Sequence, residues 1–214
     1  MARSLAEDHR VLILARTETA LESIGREIGA EWITADATDG LQVDRATAWC
    51  HERVGDVPDV LINCTGMFEL SPVATLDAAD LSAMLDVNLV GPFRLMRSVL
   101  PRMLERRSGL IINVGSVAGR KAFPGNGAYS ASKFGLRGLH EVLLEELRGT
   151  GVRATLIEPG AVDTPLWDPI DPDNQPGLPP RAAMLRPEDV ARVVATVVNQ
   201  PSHVQLPLIQ IERA

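Results

Sequence analysis

Short apolar runs alternate along this chain with amphipathic stretches, and the alternation predicts strands and helices in turn. The runs Arg10–Ala15, Glu31–Ala35, Val57–Asn63, Gly109–Gly115, Arg153–Glu158 and Leu208–Glu212 have the bare apolar character of strands buried on both faces. Between them, Ala20, Leu21, Ile24 and Ile28 share one stripe of a helix over Thr17–Ile28, and Val43, Ala46, Cys50 and Val54 repeat that spacing. Leu76–Glu105 and Ala128–Leu147 read as long helices. Pro187–Asn199 opens with Pro, Glu and Asp in its first turn, as a helix start should. Strand and helix in alternation predict an α/β fold of the Rossmann-like, doubly wound kind, with a mostly parallel sheet covered on both faces. Pro207 borders the last strand and places it at the sheet edge, where a missing N–H is tolerated.

One stretch breaks the pattern. Trp167–Pro180 holds five prolines with Asp168, Asp171, Asp173 and Gly177, and has no periodicity. It reads as a loop stiffened by proline, either a lid over a site or a surface connection; its position just after a strand end favours the lid.

At 214 residues the chain is most simply a single domain over 1–214. With 45% hydrophobic and 23% charged residues it has the composition of a globular protein. A formal charge of −7 and the lack of a basic cluster argue against a nucleic-acid partner. No apolar stretch approaches the roughly 20 residues that span a bilayer, so no membrane partner is expected. Cys50 and Cys64 show no metal-ligand spacing and no disulfide framework, which suggests a reduced, cytoplasmic protein without a metal site.

The chemistry concentrates in Tyr129-Ser130-Ala131-Ser132-Lys133, with Ser116 upstream. Tyr129 is the sole tyrosine, and only Lys121 and Lys133 among the 21 basic side chains are lysine. A chain that uses Arg nearly everywhere keeps an ammonium one helical turn from its tyrosine, which suits a compact point charge rather than a planar fork. A ketone that accepts hydride becomes an alkoxide and needs a proton. Free tyrosine, with a pKa of roughly 10, is a poor acid–base at neutral pH, but a neighbouring cation favours the phenolate. Ser116 would add a hydrogen bond to the oxygen on which charge develops.

These residues resemble the short-chain dehydrogenase/reductase family from Met1 to the C-terminus. Asn63-Cys64-Thr65-Gly66 stands where the family has Asn-Asn-Ala-Gly. Asn88 in Asp86-Val87-Asn88 is similar to the helix asparagine, Ser116 to the strand-end serine, and Pro159-Gly160, Val162 and Thr164 to the nicotinamide-side turn. The resemblance implies a catalytic set of Asn88, Ser116, Tyr129 and Lys133. Asn88 would anchor a water in a proton relay, alongside the alternative of capping a helix kink. It also implies a cofactor set of Arg16, Asp36, Ala37, Asn63, Gly66, Tyr129, Lys133, Pro159, Gly160, Val162 and Thr164. An Arg at the end of the family's second strand accommodates a 2′-phosphate where an acidic residue would bind the ribose hydroxyls, so Arg16 after Ala15 favours NADP(H) over NAD(H). Asp36-Ala37 resembles the pair along the adenine edge, although Asp36 alone could equally be turn chemistry.

Two departures from the family stand out. Cys64 and Thr65 replace its second Asn and its Ala, and no Gly-x-x-x-Gly-x-Gly is present. Aligned with the family, Met1–Ala6 falls inside the first helix, so the first strand, normally central, and the glycine-rich loop are expected to be missing. The neighbouring strands would then close into a six-stranded sheet, or the chain would fold poorly. The expected function is an NADP(H)-dependent oxidoreductase that interconverts a small-molecule carbonyl and a secondary alcohol. The alternatives are a truncated, inactive paralogue serving as a binding or oligomer partner, and an epimerase or dehydratase using the same residues. In the family the Ala128–Leu147 helix pairs subunits, which implies a homodimer or homotetramer. Phe123, Trp167 and Met67 are candidates for an apolar substrate pocket; the substrate itself is not selected by any of these residues.

Overall fold

The computed structural model describes residues 1–214. In chain order its elements are α1 (Ala2–Leu5), β1 (Leu12–Ala15), α2 (Glu18–Ile28), β2 (Glu31–Thr34), α3 (Gly40–Val54), β3 (Val60–Asn63), α4 (Ala78–Leu85), α5 (Gly91–Glu105), β4 (Gly109–Val114), α6 (Gly127–Glu146), β5 (Val152–Pro159), α7 (Pro187–Val198) and β6 (Leu208–Ile211). All six predicted strands form. The helices end where the chain supplies terminators: Gly29 and Gly55 take left-handed φ values of 66° and 75° after α2 and α3, and the Asp39 carboxylate accepts from the backbone N–H groups of Leu41 and Gln42 to cap α3.

Every strand pairing is parallel, but the strands form two sheets, β1–β2 and β3–β4–β5–β6. The sequence-based expectation that the strands close into one six-stranded sheet is therefore corrected: no ladder joins β1 or β2 to the larger sheet. Burial follows this division. Ile111, Ile112, Ala154 and Ile157 of β4 and β5 are fully buried, whereas all four residues of β1 and Val60, Leu61 and Ile62 of β3 are only half-buried. The smaller sheet carries α2, and α3 packs on α5 to join it to the rest.

The four-stranded sheet is covered on both faces. Ile111 and Ala154 point to a cluster with Val57, Met96, Val99, Met103, Leu143, Leu147 and Val152 beneath α5 and α6. Leu110, Ile112 and Ile157, one residue out of phase, point to the opposite cluster with Leu5, Val194 and Val197 from α1 and α7. Each fully buried side chain of this size contributes about 1.5–3 kcal/mol. β6 lies at the sheet edge, as Pro207 predicts; the Pro207 carbonyl accepts from the Leu156 N–H. No helix is long and apolar enough to cross a membrane.

The stretch Leu76–Glu105 is not one helix. Between α4 and α5 the backbone widens into a π-helical turn, Asp86–Val90, closed by a bond from the Gly91 N–H to the Asp86 carbonyl. Pro92 follows directly: it has no N–H for the carbonyl of Asn88, so the regular ladder is not continued there. The wide turn sets Asn88 fully inside the protein.

Candidate active site

The C-terminal ends of β3, β4 and β5 open on one side of the larger sheet, where ligands bind in open α/β folds. Ser116 follows β4 in extended conformation, and its hydroxyl accepts from the Ala118 N–H at 3.1 Å to start a short 3₁₀ turn. The first turns of α6 bring Tyr129 and Lys133 beside it. Burial pushes the Tyr129 phenol above its usual range, and a hydrogen bond from the Ser116 side chain pulls in the opposite direction. The Lys133 ammonium is buried, donates to the Val114 carbonyl at 3.1 Å and lies 5.7 Å from the centre of the Tyr129 ring. Burial lowers it to about 8, against a smaller opposing effect of the nearby Cys64. The structure thus brings Ser116, Tyr129 and Lys133 together.

Asn88 joins this group indirectly. Its Nδ2 donates to the Met67 carbonyl at 2.8 Å and to Ser132 Oγ at 3.0 Å, and its Oδ1 accepts from the Met67 N–H at 2.7 Å. Ser132 in turn donates to the Tyr129 carbonyl at 2.7 Å. The asparagine in the π turn therefore ties the loop after β3 to the first turns of α6. Gly66 lies in that loop, and a Cβ there would sit 3.9 Å from Asn88 Oδ1 and from Leu166.

Two aromatic residues complete the wall. Phe68 packs edge-on against Tyr129, with ring centres 4.8 Å apart, and against Trp167 at 4.9 Å. Trp167 belongs to the proline-rich loop, whose start thus reaches the site. Arg181 holds this loop by ion pairs to Asp163 and Asp168 at 2.5 and 2.6 Å, and its backbone N–H donates to the Asp173 carboxylate. Phe123, a candidate from sequence, is exposed with the Lys121 ammonium over its ring.

The remaining positions divide between the two sheets. Asn63 ends β3, buried, with its Nδ2 donating to Asn113 Oδ1 at 2.8 Å and its own Oδ1 without a partner. Pro159 ends β5, the Gly160 N–H donates to the Ile211 carbonyl, Val162 bridges to Leu185, and Thr164 precedes the Pro165–Trp167 turn. Arg16, Asp36 and Ala37 follow the ends of β1 and β2. Arg16 is exposed and 3.9 Å from Asp36, whose carboxylate accepts from the N–H and hydroxyl of Thr38 at 2.8 Å each. Those bonds, the backbone one first, hold the Asp36 carboxyl below its usual range, so the turn chemistry read from sequence is present. Ala37 is buried next to Gly91.

Sequence reasoning missed Phe68, Ser132 and Arg181. Ser132 lies inside the Tyr129–Lys133 run itself, one turn after the tyrosine, where i+3 spacing could have found it. Phe68 and Arg181 sit in loops, where no periodicity marks a partner.

A family model described as short chain dehydrogenase matches residues 1–175. The chain is 37% identical to a sepiapterin reductase of Chlorobaculum tepidum over 94% of its own length and 82% of that protein's. It is 34% identical to the glycine betaine reductase ATRR of Emericella nidulans over 99% of its length, but spans only 17% of that protein. Among solved structures it is similar to an actinorhodin polyketide ketoreductase with NADPH, with a TM-score of 0.89 and 28% identity over 99% of this chain and 90% of that one.

Proposed function

The chain belongs to the short-chain dehydrogenase family, and we propose on that footing that it is an NADP(H)-dependent oxidoreductase acting on a small-molecule carbonyl or secondary alcohol. The observation that carries the proposal is the convergence of Ser116, Tyr129 and Lys133 at the C-terminal end of the sheet. The residues fit a nicotinamide nucleotide: Lys133 has spent one of three donors on Val114, the Asn63 carboxamide keeps an unmatched acceptor, and the Arg16 guanidinium is held only by a loose ion pair. Arg16 would meet a 2′-phosphate, with Asp36 and Ala37 beside it; Gly66, Pro159, Gly160, Val162 and Thr164 would line the nucleotide's path.

The bound nicotinamide supplies or accepts the hydride. Tyr129 gives its proton to the substrate oxygen, or takes it in the reverse direction. Burial keeps its phenol protonated at neutral pH, which suits reduction of a carbonyl. Ser116 donates to the same oxygen as charge develops. Lys133, with its titration lowered to about 8, would act as the charge beside the phenol, and Asn88 holds the loop around them.

Phe93 on α5 and Phe134 and Val142 on α6 are exposed, which supports a homodimer or homotetramer built on these helices. The two free cysteines fit a reducing cytoplasm.

The test is a titration of the chain with NADPH, following nucleotide fluorescence and thermal stabilisation together, and then a carbonyl substrate screen. Saturable binding with a raised melting temperature and turnover supports the reading. A folded chain that neither binds NADPH nor is stabilised by it contradicts activity for these 214 residues.

A further inference from the structure

A buried line of hydrogen bonds crosses the larger sheet without touching the proton-transfer residues. Asn63 Nδ2 donates to Asn113 Oδ1 at 2.8 Å, Asn113 Nδ2 lies 3.2 Å from His140 Nδ1, and His140 Nε2 lies 3.2 Å from the Pro207 carbonyl oxygen. All three side chains are buried, at 3%, 0% and 1% exposure for Asn63, Asn113 and His140. Asn63 and Asn113 are direct neighbours in the β3–β4 ladder, and His140 reaches them from α6.

The direction of the line follows from its far end. A carbonyl oxygen only accepts, so His140 Nε2 carries the hydrogen. Burial lowers the His140 pKa, and the neutral imidazole leaves Nδ1 as an acceptor. Asn113 must then turn its NH₂ toward the imidazole, where the group also reaches Met96 Sδ at 3.4 Å, and its oxygen toward β3. Asn63 must turn its NH₂ toward Asn113. Its own Oδ1 is left buried without a partner at the ligand-binding end of the sheet. An unmet buried acceptor is costly, and a ligand donor at this strand end would satisfy it.

We propose that His140 is a positioning residue for nucleotide binding: through Asn113 it sets the Asn63 carboxamide so that the end of β3 offers an acceptor, not a donor, to a hydroxyl or amide of the bound nucleotide. The proposal rests on the nucleotide-dependent reading above. Rotated by half a turn, the Asn63 amide would present NH₂ there instead.

Two variants of similar polarity separate this role from general packing. His140→Asn can place an acceptor where Nδ1 stands; His140→Gln can place a donor where Nε2 stands but leaves Asn113 without its acceptor. Nitrogen NMR of the chain without ligand is expected to show a neutral imidazole protonated at Nε2, with distinct, slowly exchanging side-chain amides for Asn63 and Asn113 in the parent and in His140→Asn. In His140→Gln the amide signals should shift or average. NADPH titration should then give a dissociation constant within about threefold of the parent for His140→Asn and about tenfold weaker for His140→Gln. An imidazole protonated at Nδ1 overturns the assigned direction. Equal NADPH affinity in both variants and the parent overturns the positioning role while the nucleotide reading stands. A parent that shows the expected NMR signature but binds no NADPH overturns both the nucleotide reading and the role built on it.

Discussion

Lys133 Nζ stands buried 5.7 Å from the centre of the half-buried Tyr129 ring and spends a hydrogen bond on the Val114 carbonyl. Holding an ammonium there costs stability. Its folded pKa of about 8 lies below the ordinary 10.5, so the unfolded chain holds this proton more tightly. The cost is full below pH 8 and disappears as pH rises to 10.5; by linkage it amounts to about 3 kcal/mol at most.

Lys133→Met is therefore expected to stabilise the protein by about 1–3 kcal/mol at pH 7, with the gain fading as pH rises from about 8 to 10.5, while turnover is lost. Urea unfolding at pH 7 and near pH 10.5, together with steady-state kinetics, checks both halves. A lower unfolding midpoint at pH 7 would show that the bond to Val114 outweighs desolvation.

Tyr129→Phe removes the phenol oxygen and keeps the ring that packs on Phe68. Turnover should fall by about 10²–10⁴ with NADPH affinity nearly unchanged. Because Tyr129 is the sole tyrosine, absorbance titration of the parent reads this phenol alone, and it should ionise above the ordinary tyrosine range.

Asn88→Ala takes away both partners of the Met67 backbone. Leaving the N–H and carbonyl unmet should cost about 2–4 kcal/mol. Loosening of Met67 and Phe68 should also raise the substrate KM more than it lowers kcat. Unfolding curves and steady-state kinetics of the variant test the pair of effects; a stability loss with unchanged KM would confine Asn88 to the fold.

The six strands were legible because short apolar runs between turns have few alternatives, although only β4 and β5 are buried along most of their length, and Tyr129, Lys133 and Ser116 because rare residue types stood at helical or strand-end spacing. The π turn was less so: apolar spacing continues through Asp86–Val90, and only Asn88, with its alternative reading as the cap of a helix kink, pointed to a break. Phe68 was not legible, since its place against Tyr129 depends on Asn88 pinning the preceding residue from 21 positions away. The separation of β1 and β3 has no local signal either. Ladder partners are set by which strands lie side by side, and each strand alone looks ready to pair.

Arg16 is the residue on which nucleotide preference should turn. It is 64% exposed, and its 3.9 Å approach to Asp36 is an open surface pair worth less than about 1 kcal/mol. Asp36 is already committed to Thr38, so the guanidinium can leave it for a phosphate with little loss. Arg16→Glu should weaken NADPH by about 10–100-fold, the equivalent of one charge-assisted bond, and leave NADH unchanged or tighter because a carboxylate accepts from ribose hydroxyls. Arg16→Ala should lose NADPH affinity without gaining NADH. The parent's preference should also shrink as salt screens the exposed guanidinium. Competitive titrations with the two nucleotides at low and high ionic strength decide the matter: if Arg16→Glu weakens both equally, Arg16 is a solvent-facing residue at the start of α2 and selectivity resides elsewhere.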